Sequence, residues 1–339
     1  MTGAVRLSDD SLRARALATA LEPFVGSVYF APEAHAGYAE LGFDPGPGPV
    51  TDPWGSAHWG GVAMTDGPAY MTSRGSLLGQ VHGAVVAAAF GVFAPAAVIA
   101  SVDLGWSRTD AATICAVRTR GALAQLVRVL GERPAGVDDA IALLERAGAN
   151  LPLAGRPMYA GVCAQGLPDV PIGRAWRLAE RLREHRGDGH VVAFTAAGFG
   201  GCAIQVLTER VAGMPPRTYS RTRGWTDADL DAAERALHDR GLIGPDGAAT
   251  DAGRAAREQV ERATDALWAS PARDLGDDLP RLVAILQDWN AWLRSAAAYY
   301  PSSPQEATLA ADVQRWMGEH GLHPVPGVPD RPDPAGGAR

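Results

Sequence analysis

Apolar residues return every three or four positions through most of this chain, and sustained alternation at every second position is scarce. The first spacing paints one stripe along an α-helix; the second would paint one face of a strand. The pattern therefore predicts a mainly α fold, a helical bundle. Helices are expected over 10–22 (DSLRARALATALE, with Asp/Ser caps), 69–94, 107–131, 137–148, 173–186, 190–212, 226–240, 250–268 and 279–298. In the 173–186 helix Trp176, Leu178, Ala179 and Leu182 share an apolar face, with Arg177, Glu180, Arg181 and Glu184 on the others.

Glycine and proline set the divisions. A Gly/Pro/Trp-rich loop is expected over 31–68, inside an N-terminal helical domain of residues 1–150. A connector, 151–172, leads to a second helical domain, 173–305, and 306–339 reads as a short helix with a disordered tail. The strings DLGWSRTDAATICAVRTRGAL (103–123) and TRGWTDADLDAAERALHDRGL (222–242) match at an offset of 119 residues, and Gly79 matches Gly198 at the same offset. An internal duplication would put a ligand cleft between the halves.

Composition excludes several chemistries. All 31 Lys-or-Arg residues are arginine, so no lysine can form a Schiff base, serve a P-loop or act as a base. The net charge of −7 argues against nucleic acid as the main partner. Cys115, Cys163 and Cys202 stand far apart without a CxxC pair, which leaves reduced buried thiols as the expectation. GxSxG, GxGxxG and Walker motifs are absent. The stretch 83–102 is long enough to span a membrane, but it is Ala/Gly-rich and broken by Pro95, so a buried core helix is expected. With no apolar leader in MTGAVRLSDDSLRAR, the expectation is a cytoplasmic protein, with a homodimer left open.

Residues 226–262 read as helix, RGLI, a Gly-containing turn (241–250) and a T-x-x-G-R-x-x-R helix. That order resembles the recognition helix, wing and following helix of MarR-type regulators. The chemistry suits DNA poorly, because the first helix opens with Asp227, Asp229, Asp231 and Glu234. Only RTYSRTRGW (217–225) is locally basic. More widely, EPFVGSVYF (22–30), GRPM (155–158), LREHRGDGH (182–190), TRGW (222–225) and GRAAREQVERATD (253–265) resemble an actinobacterial family of helix-turn-helix or MarR-like proteins. The resemblance runs over about residues 10–305 and implies a helical fold with a degenerate winged-helix second half. It implies no particular reaction.

LREHRGDGH carries the densest candidate chemistry. A helix ending near Gly187, capped by that glycine, accounts for Arg183, His185 and Arg186. A turn at Asp188-Gly189 would then present His190 at the mouth of the next helix, with Asp188 fixing its tautomer and Glu184 one turn back. His82 is either a core histidine or a second catalytic group in the same cleft. Arg74 could hold a carboxylate or phosphate, with Glu22 and Tyr29 completing the site. Trp54, His58 and Trp59 could close over a ligand, and Arg223 and Trp225 are added as substrate contacts. No organic cofactor and no metal are expected. A metal held by His82, His185 and His190 is the weaker alternative, because HExxH is absent. The expected function is acid/base processing of a small molecule in bacterial specialised metabolism, by a lyase, cyclase, isomerase or hydrolase. The alternatives are a ligand-responsive regulator and a non-catalytic binding or resistance protein.

Overall fold

A computed structural model describes residues 7–46, 48–50, 61–301, 306 and 309–323. Helices α1 (Asp9–Gly26), α2 (Pro32–Glu40), α3 (Gly67–Gly75), α4 (Gly83–Phe90), α5 (Pro95–Arg108), α6 (Ala111–Leu130) and α7 (Val137–Gly148) form the first part. After α8 (Pro157–Cys163) come α9 (Pro171–Ala196), α10 (Gly201–Val211), α11 (Asp227–Asp239), α12 (Asp251–Ala266), α13 (Ala269–Leu275), α14 (Leu279–Ser295) and α15 (Ala311–Glu319). The fold is mainly helical, as the periodicity predicts. No single described helix is long and apolar enough to cross a membrane.

The central element is α9, which packs against α1, α4, α6, α7, α8 and α12. Its buried Trp176, Ala179 and Leu182 join Leu17, Leu21 and Phe24 of α1 and Leu282, Leu286 and Trp289 of α14 in the largest core. Ser8 caps α1 by accepting from the Ser11 amide, and Thr226 and Asp229 form a capping box at the start of α11.

Several boundaries differ from expectation; Pro95, read as a break, starts α5, and α13 fills residues expected to hold no helix. The helix expected to stop at Gly187 continues to Ala196, so LREHRGDGH is the interior of one 26-residue helix. Two helical glycines cost about 1 kcal/mol each. Burial of the apolar Ala193 and Phe194 beyond them, and the bonds Asp188 accepts from the α8 amides, offset that cost. The break comes instead at Gly198, where φ is +74° and α10 leaves α9 at 98°.

The single helix expected over 69–94 is α3, a 3-10 turn (Ser76–Leu78) and α4, interrupted at Gly79 with φ +82°. The expected loop 31–68 holds α2 and an antiparallel ribbon of β1 (Gly48–Val50) with β2 (Val62–Met64). Pro32 starts α2, and α6 can approach it because a side chain at Gly121 would meet the Ala34 Cα at 2.4 Å. The expected connector contains α8.

Gly79 and Gly198 thus share a positive φ and each precedes a helix. At the same offset α4 falls within α10 and α6 overlaps α11, whereas α5 falls on 214–227, which is loop, the 3-10 turn Ser220–Arg223 and the first residue of α11. In the second half, α10 and α11 are followed by one antiparallel bridge, Ile243 to Ala249, and then α12.

Candidate functional site

Where α9 passes α1, α3, α4, α10 and α12, it walls a cavity of about 250 Å³. Of the expected residues, His190, Asp188, Glu184, Arg74, Glu22 and Arg223 line it. Tyr29 is half-buried nearby, its ring edge-on to Tyr70 at 5.0 Å and its phenol oxygen without a hydrogen-bond partner among the described residues. Trp225 is half-buried and donates from Nε1 to the Val92 carbonyl at 3.0 Å, tying the loop before α11 to the turn after α4. Trp54, His58 and Trp59 lie outside the described residues.

His82 is elsewhere. It is exposed at the N-cap of α4, where Nδ1 accepts from the Ala84 amide at 3.1 Å, so it does not share the cavity with His190. His185 is buried with its ring edge-on to Tyr159 at 4.9 Å. Burial and the Arg156 charge push its pKa down to about 4. Among the described residues, no group of three His, Cys, Asp or Glu side chains could hold a metal ion.

The expected pairing of Asp188 with His190 does not form. Two positions along one helix are about 200° around its axis, so the two side chains leave on different sides. Asp188 accepts from the Met158 and Tyr159 amides, at 3.3 and 2.9 Å, and holds the first turn of α8. Burial pushes its pKa up to about 6 against the pull of those amides.

Thr264 of α12 meets the imidazole instead. His190 Nδ1 lies 3.0 Å from Thr264 Oγ1, whose own proton goes to the Val260 carbonyl at 2.8 Å. The threonine oxygen must therefore accept, which puts the ring proton on Nδ1 and leaves Nε2 as a bare lone pair. Burial lowers the His190 pKa to about 4; Glu261 opposes that shift, and Arg257 and Arg186 add to it. The ring is neutral at pH 7.

Arginine–carboxylate pairs form the rest of the wall. Glu22 takes Arg183 at 2.8 and 2.9 Å, and Glu184 takes Arg183 at 2.7 Å and Arg74 at 3.0 Å. Burial alone would raise the Glu184 pKa, but Arg74 and Arg183 outweigh it and hold the carboxyl below its usual range. Glu184 is therefore ionised and has no proton to give. Arg74 lies over the Phe90 ring at 4.5 Å with its charge already matched by Glu184.

On the α12 side Arg257 and Arg186 bind Glu261 at 2.6 and 3.0 Å, and Arg15 binds Asp265 at 2.7 Å. Sequence reasoning missed Arg257, Glu261 and Thr264. Their signal was available in GRAAREQVERATD, where positions 257, 261, 264 and 265 recur at helical spacing as a polar stripe. The aromatic wall of Tyr70, Phe90, Phe93 and Tyr219 had no comparable signature, because its members come from three separate segments.

A family model described as a helix-turn-helix family matches residues 14–300. No curated protein and no solved structure matches the chain.

Proposed function

Given that the chain belongs to the helix-turn-helix family, we propose that it processes a small molecule by acid/base chemistry, without an organic cofactor, in the cavity beside α9. The observation that carries this reading is His190: its tautomer is set by Thr264, it is neutral at pH 7, and Nε2 has no partner among the described residues. Such a nitrogen accepts a proton from a bound O–H or C–H. Glu261, 3.8 Å from Nδ1, would stabilise the imidazolium that results. A ligand carrying negative charge would offset Arg186 and Arg257 and bring His190 closer to the range where proton transfer is efficient. Reaction type, whether lyase, cyclase, isomerase or hydrolase, follows from the ligand.

The test is to incubate a bacterial metabolite extract with the native chain and with His190→Ala, and to follow metabolite loss by mass spectrometry. A metabolite consumed by the native chain alone supports the reading. Equal consumption by a folded His190→Ala variant overturns it.

Family membership lends some support to a second reading, a ligand-responsive regulator whose ligand sits in the same cavity; that it is MarR-like rests on the resemblance of residues 226–262 alone. Gln205 of α10, Arg223 of the following loop and Arg257 of α12 line it, so an occupant would touch the elements on both sides of α11 directly. The surface of α11 supports this less well. Arg217 bonds Asp231 and Glu234 at 2.5 Å, and Arg221 bonds Asp227, so the basic loop is spent on the acidic helix. Salt-dependent duplex binding at low ionic strength would favour the regulator, and its absence removes that reading. A resistance or sequestration protein would bind the ligand and leave it unchanged.

A further inference from the structure

We infer that Arg223 is the anchor for the carboxylate of an aromatic ligand, one ring carrying a single negative charge. This rests on the reading of the cavity as a small-molecule site. Six arginines line the cavity, and five of them are matched. Arg15, Arg74, Arg183, Arg186 and Arg257 are shared among five carboxylates: Glu22, Glu184, Glu258, Glu261 and Asp265. Arg223 has no carboxylate partner among the described residues. Its guanidinium donates only to the Tyr219 hydroxyl at 2.6 Å and the Thr222 hydroxyl at 3.0 Å, and its Nε is buried without a partner. Asp188, the remaining acid of the wall, is held by the α8 amides.

Arg223 is half-buried with its Nε out of water, so its charge is partly desolvated without a counter-ion, and a guanidinium recognises a carboxylate by two parallel N–H bonds. Arg223 is also pre-set for that task. Its side chain lies between the rings of Tyr219, at 4.4 Å, and Phe93, at 5.0 Å. Its carbonyl accepts from the Ala94 amide at 2.9 Å, so backbone and side chain are both fixed before any ligand arrives. The apolar part of the ligand is specified next to it. Tyr70, Phe93 and Phe90 stand in sequence with centroid separations of 5.8 and 5.7 Å, a wall suited to a ring face or edge. An apolar cavity of about 150 Å³ accommodates benzene. The 250 Å³ here therefore admits one aromatic ring with a carboxylate and a further substituent.

Isothermal titration of the full chain with benzoate, benzamide and phenyl phosphate tests the assignment. Benzoate is expected to bind at least about tenfold more tightly than its neutral isostere benzamide, since a charge-assisted bond contributes about 1.5–3 kcal/mol. Arg223→Gln should lose that preference, and Arg223→Lys should keep part of it. A preference for phenyl phosphate over benzoate, equal binding of benzoate and benzamide, or unchanged benzoate affinity in Arg223→Gln overturns the inference and leaves the cavity reading in place. If Arg223→Gln does not fold, the benzoate–benzamide comparison on the native chain decides. Absence of binding by all three probes overturns the inference. The cavity reading fails separately, when the extract experiment also shows no loss that depends on His190.

Discussion

Thr264 Oγ1 accepts the Nδ1 proton of His190 across the packed faces of α9 and α12, at 3.0 Å, while giving its own proton to Val260. One hydroxyl thus decides which nitrogen of the histidine is a base. Thr264→Val keeps the shape and removes the acceptor. It should destabilise the fold by about 1–3 kcal/mol in urea denaturation, the cost of a buried donor left unpaired. It should also move the His190 tautomer equilibrium, visible in the ring nitrogen chemical shifts. Unchanged ring shifts would mean that Thr264 does not set the tautomer.

Acid should weaken the fold in a defined window. His185 and His190 both titrate near pH 4 when folded, below the 6.5 of an ordinary imidazole, so unfolding takes up protons between those values. Their contribution to stability is intact above pH 6.5 and is lost as pH falls from 6.5 towards 4. Asp188 works the other way: it holds its proton up to about pH 6 when folded against 3.8 when free, so its contribution is lost as pH rises across that range. The melting temperature should therefore fall between pH 7 and pH 5. His190→Gln should flatten that fall and Asp188→Asn should steepen it. A Tm curve that is level across the window in the native chain refutes this account.

Arg118, Glu180 and Arg177 form a fully buried triad, with both arginine–carboxylate distances 2.5 Å. Removing the central charge strands two guanidiniums away from water. Glu180→Gln should cost about 3–5 kcal/mol in denaturant titrations. A loss below about 1 kcal/mol would indicate that water or another acid reaches the pair.

Gly187→Ala separates the two descriptions of the central motif. In the interior of α9 the residue is exposed and has helical φ, and a methyl group there meets only Glu184 Oε2 at 3.9 Å. The substitution should then stabilise by about 0.5–1 kcal/mol. At a left-handed helix cap it would destabilise instead. Equilibrium denaturation of the single variant reads the sign.

That motif shows what could and could not be seen in the primary structure. Helix positions followed from periodicity, and α7 and α12 start and stop within two residues of expectation. The placement of Glu184, Asp188 and His190 beside one cavity was partly visible, because LREHRGDGH crowds charge between the apolar stretches before and after it. Their pairings were not. Asp188 looked like the natural neighbour of His190 in one dimension, whereas helix geometry turns it towards α8 and hands the histidine to Thr264, 74 residues away. Gly187 and Gly189 read locally as a stop signal, and only the tertiary burial on both sides of them shows why the helix continues. The assignment of an anion to Arg74 met the same obstacle: its partner, Glu184, is 110 residues distant and was counted as an acid in its own right.

The continuity of α9 makes its length a stricter requirement than its composition. Each helical residue advances the rotation by about 100°. A single residue inserted or deleted between Arg183 and Arg186 would turn every later side chain away from α12, separating His190 from Thr264 and Arg186 from Glu261 in one step. Substitutions there act one at a time, but a change of reading length acts on all of them together. The segment should therefore tolerate exchange of residues far better than any change in their number.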